Sequence, residues 1–140
     1  MTTYLSNKAQ PGVKPKFLPA GAIAVCASYA FATAPSLNDL VQMMTIPAGA
    51  TMVDVILDSD DLDSNGTPTI KFDVGDGTTA ARFIAASTVP QTGGVAHAAV
   101  AASTDYTYAA DTPLYVKVNT AAATFQAGTV RLTAIYTMDP

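Results

Sequence analysis

IPAGATMVDVILDSDDLDSNGTPTIKFDVGD, residues 46–76, is the stretch whose reading decides the fold. Residues 69–74 alternate, with Ile70, Phe72 and Val74 on one side and Thr69, Lys71 and Asp73 on the other, so one face meets a core and the other meets water. Residues 52–57 (MVDVIL) form a β-branched run carrying a single Asp at 54. The link between them, DSDDLDSNGTP, holds the Asp, Ser, Asn, Gly and Pro that turn chains. The stretch reads as two strands joined by an acidic hairpin loop.

Working outward, the same period recurs. Residues 22–31 (AIAVCASYAF) put Ile23, Val25, Ala27, Tyr29 and Phe31 on one face; residues 32–39 break the pattern, and the chain resumes over residues 40–46 as a short, Met-containing apolar run before the Pro47-Ala48-Gly49-Ala50 turn. Residues 80–87 fit either a helical turn or a short strand, and residues 88–104, poor in large side chains, read mostly as loop. Tyr106 and Tyr108 share a face of a short strand. Residues 114–118 point Leu114, Val116 and Val118 inward, residues 130–136 do so with Val130, Leu132, Ala134 and Tyr136, and the two are expected to pair as antiparallel neighbours. Seven or eight short strands with no amphipathic helix indicate an all-β protein, an antiparallel β-sandwich or jelly roll over residues 20–140, with a closed barrel as the alternative.

Residues 1–19 differ in kind. They hold Lys8, Lys14 and Lys16, three of the chain's 7 basic residues, together with Pro11, Pro15 and Pro19. Proline at that spacing resists helix. The segment reads either as a solvated tail or as an extended arm that orders on a neighbouring subunit, with Tyr4, Leu5, Phe17 and Leu18 as apolar anchors.

One domain of 140 residues buries a real core without metal or disulfide. The 26 alanines suggest that this core is filled with small side chains. A net charge of −4 with only 7 basic residues argues against nucleic acid as a partner, which needs a concentrated basic surface. Residues 20–34, the longest apolar run, are too short and broken to cross a bilayer, and neither end carries a targeting signal, so no membrane partner is expected. Cys26 has no second cysteine to pair with and is expected to be a buried spectator thiol.

No residue set for catalysis emerges, and neither enzyme activity nor a cofactor is expected. Asp61, Asp63 and Asn65 with Gly66 begin as a calcium loop begins, but the eighth position is Pro68 and the twelfth is Phe72 where a bidentate Glu is needed. A cation held in another geometry by Asp58, Asp60, Asp61 and Asp63 is the alternative to a solvated acidic loop. His97, the one histidine, is flanked by alanines and reads as a surface or loop residue. Gly75-Asp76-Gly77 lacks the further Gly, the helix and the Lys of a phosphate loop. Five of the 11 acidic residues fall between Asp54 and Asp63, which makes this loop a dock for a basic arm.

With these residues laid out, the chain resembles a group of small tailed-bacteriophage virion proteins, of the capsid decoration or accessory head type. The resemblance is carried by Asn38-Asp39-Leu40-Val41 running into Ile46-Pro47-Ala48-Gly49-Ala50, by Asp60-Asp61-Leu62, by Val74-Gly75-Asp76 followed by Arg82-Phe83-Ile84, and by the closing VRLTAIYTMD. It covers roughly residues 23–138. Relatives commonly place Gly before the Asp where this chain has Asn38, and both residues tolerate φ > 0. The resemblance implies a β-sandwich with a structural role and no active site, without fixing its place on the particle; the leading expectation is a homo-oligomer on the capsid surface of the virion with the major capsid protein as its partner. Leu5, Lys8, Lys14, Lys16 and Phe17 of the arm, with Asp60, Asp61 and Asp63 of the acidic loop, are the expected contact residues. A virion binding module, holding a glycan or receptor in the sandwich loops, is the alternative.

Overall fold

The computed structural model describes residues 1–6 and 21–138. Among these the alternating stretches become nine strands: β1 (Thr3–Leu5), β2 (Ala22–Phe31), β3 (Leu40–Ile46), β4 (Ala50–Ser59), β5 (Lys71–Asp76), β6 (Ile84–Ser87), β7 (Gly94–His97), β8 (Thr112–Thr120) and β9 (Gly128–Met138). They form two sheets, in the orders β1-β3-β8-β5-β6 and β2-β9-β4-β7. Every pairing is antiparallel except β1 on β3. The architecture is an all-β sandwich, as expected. Lys8, Lys14, Lys16 and Phe17 lie outside the described residues.

The inner faces meet in one core. Val55, Leu57, Val130, Leu132 and Tyr136 of one sheet face Val41, Phe72, Val74, Leu114 and Val116 of the other, and the Phe31 and Phe72 rings approach to 6.0 Å across the gap. In β4, Ala50 and Met52 are inward, then Val55 and Leu57, so the inward parity changes across the bulge at Val53, which is 46 % exposed. β3 does the same between Gln42 and Met44, burying both Met43 and Met44. The core is not the small-residue filling that the alanine count suggests. Among buried apolar residues only Ala27, Ala50 and Ala134 are alanines, and the interior is built from Tyr, Phe, Met, Leu, Ile and Val. Ala96, Ala98 and Ala122 pack against the margin of this core, and most other described alanines lie on outer faces and in connections, where small side chains cost little to order.

Two expected hairpins are corrected. β4 and β5 lie in different sheets, so the acidic link is a crossover, and β8 and β9 are likewise separated. Cys26 is also corrected. Val25 and Ala27 take the inward positions, which turns Cys26 out onto the uncovered face of its sheet, with Sγ 3.2 Å from Thr133 Oγ1. The segment holding Tyr106 and Tyr108 is bound to the start of β4 by backbone hydrogen bonds and a single bridge, Thr51 to Thr107, without forming a strand.

Candidate functional site

The motif residues of the sequence gather into three polar clusters and one acidic surface. The first cluster lies where the two crossovers meet. Asp61 Oδ1 accepts the N–H of Asp63 (2.9 Å), Asp63 Oδ1 that of Asn65 (3.3 Å) and Asn65 Oδ1 that of Thr67 (2.8 Å). The spacing that suggested calcium ligands is thus a staircase of Asx turns, each side-chain oxygen directed at backbone two residues on.

Asp63 also reaches across the crossing. It is 1 % exposed, and it accepts the N–H groups of Thr69 (2.8 Å), Ile70 (3.2 Å), Ala123 (2.8 Å) and Thr124 (2.8 Å). The N–H of Ser64 and the carbonyl of Leu62 pair with Thr124 and Gln126 on the other crossover. Burial alone would raise the Asp63 pKa. The amide hydrogen bonds outweigh it and hold the group well below the usual carboxylate range. The loop is therefore no solvated hairpin tip; its central carboxylate clasps two segments about sixty residues apart.

A second cluster forms around Asp76. Its Oδ1 accepts the N–H groups of Thr78 (2.9 Å) and Thr79 (2.8 Å), while Oδ2 accepts from Arg82 Nε and from the Tyr108 hydroxyl (2.8 Å). Arg82 stacks over the Tyr106 ring with Cζ 3.9 Å from the centroid, and Tyr106 and Tyr108 meet edge to face at 4.9 Å. Burial pushes the Tyr108 phenol up and the hydrogen bond to Asp76 pushes it further. Gly75 is required by close approach: a Cβ there would lie 2.1 Å from the Thr79 carbonyl oxygen. The sequence Val74-Gly75-Asp76 with Arg82-Phe83-Ile84 is thereby a turn and ion pair that anchors the segment holding Tyr106 and Tyr108.

The third cluster is at the N-terminal rim. Asn38 takes φ +70°, the conformation that Gly or Asn adopts there at low cost. The next residue, Asp39, accepts the N–H groups of Ser36 (2.9 Å) and Thr2 (2.8 Å) and the Tyr4 hydroxyl (3.4 Å), docking β1 beside β3. Tyr4 packs on Tyr29 at 5.5 Å, and Tyr29 on Phe31 at 5.0 Å, so the rim continues into the core.

The acidic surface consists of Asp58, Asp60 and Asp61 at the end of β4. Arg131 Nη1 is 3.0 Å from both Asp58 Oδ1 and Asp60 Oδ1, and Asp60 Oδ2 accepts the N–H of Thr129 (2.9 Å). That backbone bond first, and Arg131 second, lower the Asp60 pKa. The Arg131 pairs are half exposed and screened by solvent, so they add little to stability. His97 Nδ1 contacts Asp54 Oδ2 at 2.6 Å on the outer edge strand, and among the described residues no three His, Cys, Asp or Glu side chains converge. A shallow cleft of about 160 Å³ runs between Leu40, Tyr115 and the turn after β5.

Of the expected contact residues, Leu5 is 41 % exposed on β1, Asp60 and Asp61 are partly exposed, and Asp63 is buried in the fold. The structure does not bring Leu5 and the aspartates together. β1 borders β2 at one rim, whereas β4 runs beside β7 at the opposite side of the other sheet. The roles of Asp39 and Asp76 were missed in the sequence, although the Gly-Asp pair followed by Arg was a visible signal for the second.

Three solved phage structures contain chains similar to this one. A chain from the capsid asymmetric unit of cyanophage Pam1 is 32 % identical, with 94 % of each chain covered and a TM-score of 0.81. One from the capsid of Ralstonia phage GP4 is 29 % identical, with 99 % of each chain covered and a TM-score of 0.87. A third, from the acid-stable capsid of the Helicobacter pylori bacteriophage KHP30, shares the fold at 20 % identity, covering 85 % of this chain and 89 % of its own, with a TM-score of 0.61. No protein-family model and no curated protein matches the chain.

Proposed function

Because the chain belongs to the structural proteins of bacteriophage capsids, we propose that it acts as a decoration or cement protein, binding the assembled shell through the major capsid protein and strengthening it as a homo-oligomer. The observation that carries this reading is the end-to-end match. The Pam1 and GP4 chains are themselves covered over 94 % and 99 % of their lengths, so the likeness is to whole small capsid chains and not to a domain within a larger shell subunit.

A two-sheet sandwich of this size offers each neighbour a modest interface. On a repeating lattice modest interfaces add up, because every contact after the first forms at high effective concentration. Short outward side chains suit such contacts: Ala22, Ala24, Cys26 and Thr133 on the outer face of the β2-β9 pair lose little rotamer freedom when covered. Residues 1–19 serve as an arm whose first strand, β1, lies on the β3 edge of the sandwich, with Leu5, Lys8, Lys14, Lys16 and Phe17 as shell or subunit contacts. Asp60 and Asp61 of a neighbouring copy supply the complementary charge.

The test is sedimentation of purified protein with empty shells. Saturable binding is expected, weakened at least tenfold by deleting residues 1–19. The combined variant Lys8→Gln, Lys14→Gln, Lys16→Gln leaves β1 in place, and it should bind more weakly with a shallower salt dependence. No binding to shells, combined with selective binding to a glycan array, would replace this reading with that of a receptor-binding module.

A further inference from the structure

The edge of β3 is built to receive a strand. Asp39, 2 % exposed, stands at its entrance and takes the N–H of Thr2 and the hydroxyl of Tyr4. Leu40 N–H donates to Thr2 carbonyl (2.9 Å), Ser6 N–H donates to Gln42 carbonyl (2.7 Å), and the Ser6 hydroxyl donates to Met43 carbonyl. Within its own chain, this edge is occupied by a parallel ladder of only three residue pairs, Thr3–Leu40, Tyr4–Val41 and Leu5–Gln42.

Chain length leaves the occupant's origin open. Tyr4 lies against Tyr29, and β2 begins seven residues before Tyr29, roughly 23 Å along an extended strand. The fifteen steps from Ser6 to Gly21 reach up to about 50 Å. That is about twice what closure onto the same molecule requires, so chain length permits either origin. A neighbour's Thr2–Ser6 segment brings the same hydrogen bonds to the same edge. Exchange therefore changes no contact, and its equilibrium is set by linker closure against the local concentration of copies.

We propose that in the assembled particle the Thr2–Ser6 segment of one copy occupies the β3 edge of an adjacent copy, with the recipient's Asp39 holding its Thr2 amide and Tyr4 hydroxyl. The proposal rests on the chain being a lattice component, since only there are copies fixed at a spacing that the linker spans. It gives the homo-oligomer a covalent thread across each seam, and Asp39 becomes the residue that selects the incoming N-terminus.

Co-assembly of two single-cysteine variants tests it, both in a Cys26→Ser background: Leu5→Cys in one population and Gln42→Cys in the other, positions paired in the ladder. After mild oxidation of particles carrying the protein, non-reducing electrophoresis is expected to show a disulfide-linked heterodimer in a large fraction of the chains. The pair Thr3→Cys and Leu40→Cys should behave alike, guarding against poor geometry at one position. If neither mixture gives heterodimer while chains carrying both cysteines close an intrachain disulfide on the same particles, exchange is refuted and the capsid reading stands. Particles that incorporate none of the protein refute both.

Discussion

Asp63→Ala is expected to lower the unfolding free energy by about 4 kcal/mol or more, a large part of the stability of an ordinary domain. The substitution strips a carboxylate from the N–H groups of Thr69, Ile70, Ala123 and Thr124. Each buried amide left without a partner costs about 1–3 kcal/mol, partly recovered where water enters. The loss is also tied to pH. Asp63 titrates below its unfolded value near 3.9, as do Asp39, Asp60 and Asp76, so their contribution is complete above that value and disappears as pH falls through the lowered folded values. Urea unfolding at pH 7 should show the full deficit of Asp63→Ala. Below about pH 4 the difference between variant and parent should narrow steadily, and it should close only where the pH reaches the strongly lowered value at which the folded carboxylate itself takes up a proton. A constant difference across that range would mean that Asp63 acts through packing alone.

Gly75→Ala is expected to cost about 3 kcal/mol or more, lowering Tm by roughly 10 °C. The new methyl would stand 2.1 Å from the Thr79 carbonyl oxygen and 2.6 Å from the Ala80 carbonyl. Backbone, and not a flexible side-chain end, must move. Displacing that turn pulls Thr78, Thr79 and Arg82 from Asp76 and strands the Tyr108 hydroxyl. Gly77 provides the control two residues away, because a Cβ there meets nothing within 4 Å. Thermal melts of Gly77→Ala should stay within about 1 kcal/mol of the parent. Equal effects at the two positions would show that close approach is not why Gly75 is present.

Strand period was legible because it is local. Residues 22–31 stand in the structure with the bounds that alternation implies and residues 40–46 with those of the apolar run, and Leu114, Val116, Val118, Val130 and Leu132 all face the core. Sheet membership was not legible. Alternation says that one face is buried but not against which partner, and a turn-rich link reverses the chain without saying into which sheet. The decisive interaction for both crossovers is Asp63 with Ala123 and Thr124, far apart in sequence. The same limit misread Asp63 as a surface contact and Cys26 as buried. β7 (GVAH) escaped notice because its composition is poor for a strand; pairing along Ile56–Ser59 overrides propensity there. Asp73 sits on the outward face as its parity requires, yet it is covered by Ala86 and Asn119, which the period alone does not reveal.

The central claim is that this sandwich works by attachment to a phage shell. A density map of the intact particle tests it most directly. The account predicts a nine-stranded sandwich in many symmetry-related copies on the outside of the shell, in contact with the major capsid protein. Shell density fully explained without this chain, or the chain found only at a receptor-binding tip, would contradict it.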